Sequence, residues 1–149
     1  MAQAAQQSRL RDIIERYNDA WNAHDLDAIT GMHAPDMVFE NHTAGERAEG
    51  EQVREHIGRI FRAWPDIAFH TRRLYVRENL IVQEWTATAT HATELRRGDL
   101  TAPASGRRVE WEGLDVIPLK LRHSKLLGGG PHCVTLDVRR KGTLQRYFD

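Results

Sequence analysis

Only one cysteine, Cys133, occurs in the 149 residues, so an internal disulfide is impossible and an oxidised, disulfide-stapled scaffold is excluded. No apolar run approaches the length of a membrane span. The polar start Met1-Ala2-Gln3-Ala4-Ala5-Gln6-Gln7 lacks the apolar core of a signal peptide. A soluble, cytoplasmic protein is the expectation. Charge of one sign is also missing. Twenty-one basic residues balance twenty-one acidic ones, and no basic block is long enough to suggest nucleic acid or a membrane surface as a partner. The eight histidines are scattered without the two-histidine helical spacing of a zinc hydrolase, so no metal is expected. Gly128-Gly129-Gly130 lacks the following lysine of a phosphate-binding loop. His132 and Cys133 are sequence neighbours, which on a strand point apart, and read as incidental.

What is present fits a single domain over residues 1–149, large enough to bury a core. Residues 1–8 are expected to be flexible. Ser8 is a candidate cap for a helix whose Leu10, Ile13, Ile14, Tyr17 and Trp21 recur every three to four positions. Tyr17 and Trp21 either pack in the core or line a cavity. Asp25 can cap a second helix with Leu26, Ile29 and Met32 inward, closed by a turn at Ala34-Pro35-Asp36. A short strand, Met37 to His42, then enters a loop, Thr43 to Glu46. A third helix carries Val53, Ile57, Ile60, Phe61 and Trp64 on one side and stops at Pro65-Asp66.

From Ile67 the pattern changes to strands. The parity slip between Ile67/Phe69 and Leu74/Val76 predicts a bulge near Thr71-Arg72, and Arg77-Glu78-Asn79 reads as a hairpin turn. Leu80 to His91 places Ile81, Gln83, Trp85, Ala87, Ala89 and His91 on one face. A loop from Arg96 to Gly106 leads to Val109, Trp111, Asp115 and Ile117, which again share a face, with Gly113 read as a bulge. Asp115 is thus a carboxylate in line with large apolar side chains. Such a group is costly to bury unless it is hydrogen-bonded, paired or protonated. It is either a strand-end aspartate satisfied by solvent or arginine, or a working acid/base. Three helices followed by long strands argue an α+β domain with the helices on one side of the sheet.

Five stretches occur in order: Tyr17-Asn18-Asp19-Ala20-Trp21-Asn22-Ala23-His24-Asp25, Gly50-Glu51-Gln52-Val53-Arg54-Glu55, Trp64-Pro65-Asp66-Ile67-Ala68-Phe69, Glu84 to His91, and Ser105 to Asp115. In this order and spacing, over residues 9–118, the chain resembles the SnoaL-like polyketide cyclases of the NTF2-like superfamily. The resemblance implies a cone: a strongly curved mixed or antiparallel sheet, packed on three helices of the N-terminal half, around an apolar pocket. It implies a homodimer through the sheet's outer face and a hydrophobic small-molecule ligand. No cofactor takes part, and a pocket aspartate is the acid/base of an intramolecular aldol closure. Carried onto this chain, the aspartate is Asp115 and the pocket histidine His91. Asn41, or His42 with the register shifted by one, is the polar pocket position. Tyr17, Trp21, Trp64, Trp85 and Trp111 are the candidate apolar lining.

The chemistry is consistent with those residue types. Aldol closure needs a base for the proton alpha to a carbonyl and a donor for the enolate oxygen. A desolvated carboxylate can serve as base and, once protonated, as acid. Two other readings stay open: a limonene-type epoxide hydrolase, with two carboxylates and an arginine around a water, and a non-catalytic binding or dimerisation domain. The stretch Glu94 to Ala104 is longer and more charged than usual for the family. Residues 119–149 are atypical, although Val134 to Val138 can supply a last strand.

Overall fold

A computed structural model describes residues 1–42, 44–123 and 134–147. Its first helix, α1 (Ala2–Asn22), buries Leu10, Ile13, Ile14, Tyr17 and Trp21, the stripe that the spacing predicts. It begins at Ala2, so Ser8 lies inside the helix instead of capping it, and residues 2–8 belong to an element. Alanine and glutamine there are good helix formers, and nothing before Ser8 stops the helix. Gln6 Nε2 ties this turn down by donating to Glu78 O at 2.9 Å and Asn79 Oδ1 at 3.0 Å. The chain then turns through His24 in the left-handed region (φ 54°). Asp25 caps α2 (Leu26–Gly31) by accepting from Ala28 N at 3.0 Å. Ile29 is fully buried there, with Leu26 and Met32 packed against the same core.

The turn expected at Ala34-Pro35-Asp36 is instead part of strand β1 (His33–Asn41). Proline cannot donate to a ladder. Accordingly the pairing of β1 with its parallel neighbour shifts between His33 and Val38, so Pro35 sits where the ladder is interrupted. The expected loop gives way at Glu46 to a strand that was not predicted, β2 (Glu46–Glu49), which folds back antiparallel on β1. Thr43 lies outside the described residues. α3 (Gln52–Ala63) buries Val53 and Ile57 and packs Ile60 and Phe61 on the core; it ends one residue earlier than the expected stop at Pro65-Asp66, so Trp64 follows the helix instead of belonging to it.

β3 (Ala68–Arg77) and β4 (Leu80–Thr90) form the predicted hairpin, with the irregularity between Thr71 and Arg73 and the turn at Glu78. β4 stops one residue short of His91. A small hairpin, β5 (Leu95–Arg97) and β6 (Leu100–Ala102), occupies part of the stretch read as a loop. β7 (Arg108–His123) pairs with β4 without a break at Gly113, which is therefore not a bulge. Gly113 stands opposite Trp85, and a Cβ there would overlap the Trp85 indole, so the position needs glycine for space.

β8 (Val134–Tyr147) contains the predicted Val134–Val138 strand and is longer. The sheet order is β2-β1-β8-β7-β4-β3, with β1 and β8 parallel and all other neighbours antiparallel. The sheet is therefore mixed. The helices meet its inner face, where Leu10, Ile14, Ile29 and Ile57 share a core with Ile81, Ile117 and Leu119. Gly128-Gly129-Gly130, His132 and Cys133 lie outside the described residues. No helix among the described residues is long and apolar enough to cross a membrane.

Candidate functional site

The β4–β7 register sets the site. Gln83 pairs with Asp115, Trp85 with Gly113, Ala87 with Trp111 and Ala89 with Val109. Each tryptophan faces a small residue on the neighbouring strand, which lets two indoles lie on one sheet face without collision. The register also continues outward: Thr143 on β8 pairs with Asp115 on one side and with Asn41 on the other. Asn41, Asp115 and Gln83 thus belong to one row across the sheet, and all three line a cavity of about 1140 Å³. Trp21, Phe39, Trp64, Phe69, Trp85 and Trp111 supply its apolar wall. The β5–β6 hairpin borders it with Leu95 and Leu100.

Asp115 is only 2% exposed. Gln83 Nε2 donates to its Oδ2 at 3.0 Å. Gln83 is itself fixed by an amide-to-amide pair with Asn18, whose Nδ2 donates to Gln83 Oε1 at 2.9 Å and whose Oδ1 accepts from Gln83 Nε2 at 3.1 Å. Asn18 Nδ2 also reaches Thr71 Oγ1 at 3.2 Å. One face of α1 therefore holds the carboxylate's partner in place from above the sheet. A buried carboxylate with a fixed donor is what the parity of the β7 pattern requires.

Tyr17 is fully buried, and its hydroxyl lies 2.8 Å from His33 Nε2. Burial pushes the phenol well above its usual range; a hydrogen bond with Trp21 opposes this and the negative charge of Asp115 adds to it. Tyr17 is not among the residues that line the cavity, so its place is in the core behind the site, whereas Trp21 lines the cavity. Of the two polar alternatives after β1, Asn41 faces inward, where its Oδ1 accepts from Ala44 N at 3.2 Å. The His42 side chain is exposed, 3.6 Å from Glu40 and away from the cavity lining. Asn41 is the last residue of β1, and His42 already belongs to the turn that follows.

His91 does not converge with Asp115. Its backbone N donates to Arg107 O at 2.8 Å, its Nδ1 lies 3.0 Å from Ser105 Oγ, and its ring packs near Trp64. Asp115 pairs eight residues away along β4, about 26 Å at the usual rise of a strand. The two residues that the resemblance assigns to the pocket, Asp115 and His91, are therefore not brought together: the histidine secures the end of the hairpin, and Gln83 donates to the carboxylate. Gln83 shares the parity of Trp85 and Ala87, so a polar residue at an inward position was its signal in the sequence.

A second polar group in the wall was not anticipated. His56 on α3, Arg59 one turn later and Glu46 on β2 all line the cavity. His56 shares the inward stripe of Val53 and Ile57, which was the available signal. Burial lowers its pKa; Glu46 opposes that shift and Arg59 reinforces it. Its proton affinity is thus weaker in the folded than in the unfolded chain, whose histidines titrate at about 6.5. Below that pH the unfolded chain binds the proton first, so stability rises with pH through this window and is lost on acidification. We expect Tm to fall between about pH 7 and about pH 5.5, and the fall to be smaller in His56→Gln. Equal falls in the two proteins would exclude His56 as the source. Among the described residues no group of three His, Cys, Asp or Glu side chains is arranged to hold a metal.

A three-helix layer on a mixed sheet, enclosing an aromatic cavity around a buried carboxylate, defines a small α+β cavity protein. The chain belongs to the SnoaL-like domain family, whose model matches residues 14–123. In fold it is similar to AclR, a candidate hydroxylase from Streptomyces galilaeus. The two are 18% identical with a TM-score of 0.70, over 95% of this chain and 81% of AclR. It is also similar to IdmH, a candidate polyketide cyclase from Streptomyces antibioticus. Here the identity is 20% and the TM-score 0.66, over 91% of this chain and 90% of IdmH. A separate local match is of another kind: 39 residues are 62% identical to inosamine-phosphate amidinotransferase 1 of Streptomyces glaucescens. They cover 26% of this chain and 11% of that enzyme. The chain spans about a tenth of the length of the curated amidinotransferases it matches, too little to carry their activity across.

Proposed function

We propose that the protein is a cofactor-independent cyclase or isomerase acting on a polycyclic or aromatic ketone, with Asp115 as acid/base. The observation that carries this reading is the Asp115 carboxylate, buried in the wall of an aromatic cavity and oriented by Gln83. Asp115 takes the proton alpha to a ketone, leaving an enolate. The enolate carbon bonds to a second carbonyl carbon of the same molecule, and protonated Asp115 returns its proton to the alkoxide so formed. The cavity is large enough to admit a ligand of several fused rings.

The test is a thermal-shift screen of the parent and Asp115→Asn against polycyclic ketones, quinones, steroids and cyclic epoxides. Stabilisation of the parent by ketones, altered in the variant, supports the cyclase reading. Selective stabilisation and opening of epoxides replaces it with the hydrolase reading. Silence from a folded protein leaves a non-catalytic interaction domain.

The same reading includes a homodimer through the outer sheet face. Tyr75 on β3, Val82 on β4 and Val116 on β7 form one cross-strand row there, with Tyr75 55% and Val116 37% exposed. Exposed apolar rows of this kind mark interaction surfaces. Val116→Lys is expected to shift the protein from dimer to monomer in analytical ultracentrifugation. A parent that sediments as a monomer removes the dimer from the proposal.

A further inference from the structure

His56 faces the cavity at a place removed from Asp115. Its ring packs 4.9 Å from Phe39 on β1. Phe39 pairs with Lys141 and Asp115 with Thr143, so the two positions are separated by two strand spacings and two residues, about 12 Å across the sheet. His56 is 5% exposed, and its buried Nε2 makes no hydrogen bond among the described residues. Glu46 Oε2 is 3.7 Å away, beyond hydrogen-bond length. A buried donor left in this state is costly and calls for a partner.

The gap has a specific chemistry. The nearby carboxylate favours the tautomer with its proton on Nε2, which makes His56 a donor and Glu46 an acceptor. One oxygen carrying a hydrogen, set to one side of the line between them and about 2.8 Å from each, would satisfy both by accepting from Nε2–H and donating to Glu46. A ketone oxygen has no proton for Glu46. A carboxylate is repelled by Glu46, and an ammonium group meets Nε2–H donor to donor. Arg59 in the same wall offsets the Glu46 charge, so the group does not favour a cation.

We infer that Glu46 and His56 form a second recognition point in the cavity, which binds a phenolic or enolic hydroxyl of the ligand whose ketone is presented to Asp115. This inference rests on the cyclase reading for the ketone and adds the hydroxyl to the substrate class. It predicts discrimination between ligands that differ only in that group.

The experiment measures quenching of the cavity tryptophans by 2-hydroxyanthraquinone and by anthraquinone. The parent is expected to bind the hydroxylated probe about tenfold more tightly, the effect of one well-made hydrogen bond. His56→Leu should bring the ratio close to one while anthraquinone still binds, and His56→Gln, which keeps a donor, should retain most of it. Glu46→Gln, at a half-exposed position that does not endanger folding, should lower the ratio several-fold. Asp115→Asn should leave the ratio unchanged. Equal binding of both probes by the parent overturns the inference and leaves the cavity reading intact, with only a water between Glu46 and His56. A ratio that collapses in Asp115→Asn places the hydroxyl at Asp115 and also overturns it. If neither probe binds, the apolar-ligand reading fails and takes the inference with it.

Discussion

Asp115→Asn is expected to lower turnover of a ketone substrate by about a hundredfold to ten-thousandfold, the range for loss of a general acid/base. The substitution is nearly isosteric. Gln83 Nε2 needs an acceptor at the position of Oδ2, and the asparagine carbonyl oxygen can provide it. The Asn18–Gln83 pair that fixes this geometry is untouched. What is lost is the ability to take and return a proton. Removing a buried charge also removes its desolvation cost, so Tm should stay level or rise slightly. Initial rates and melting curves on the same preparations separate these effects. Unchanged rates with an authentic substrate would remove Asp115 from the mechanism.

The largest effect on stability is expected at the crossing of Trp85 and Gly113. The indole lies directly over Gly113 Cα, and its other side meets Phe69 edge-on at 5.1 Å. Gly113→Ala cannot be accommodated by a small adjustment, because the new methyl would occupy indole atoms. The ring must leave its rotamer in a wall where it is almost fully buried. Overpacking of this kind costs about 3 kcal/mol, or roughly 6–12 °C in Tm for a domain of this size. Trp85→Ala removes the ring and should cost about 3–5 kcal/mol. The double variant should be less destabilised than the sum of the two, since the methyl added by Gly113→Ala no longer meets a ring. Strict additivity, or a Gly113→Ala protein that melts like the parent, would show that the indole does not lie over Gly113.

These residues also show what the sequence could reveal. Period-two alternation in β4 and β7 put Trp85, Trp111 and Asp115 on one face, and a parity slip located the irregularity after Thr71. Helical stripes found the inward sides of all three helices. Alternation gives a face but no depth, however. Position along the strand comes from the register with a neighbour, and that register carried His91 to the far end of the hairpin and Gln83 to the carboxylate. Gly113 looked like an interruption because its reason, the Trp85 ring, belongs to another strand. Pro35 concealed the first half of β1, since an irregular parallel ladder tolerates a proline that a regular one rejects. Gly98-Asp99 between two short β-capable runs was a readable hairpin signal, hidden by the small and polar residues around it. His56 was masked by lying in an otherwise apolar stripe.

The place of β8 has a consequence for how the protein reaches this structure. It is inserted between β1 and β7, and the β1–β8 register joins Val38 to Arg140, about 100 residues apart. On the ribosome, β1 and the β4–β7 hairpin must therefore wait with open hydrogen-bonding edges until the segment around Val134–Tyr147 has emerged. Non-local pairing of this kind is slow, and unpaired edges are where chains join one another. Synthesis that stalls before this segment should yield chains that depend on chaperones, however well their helices have formed.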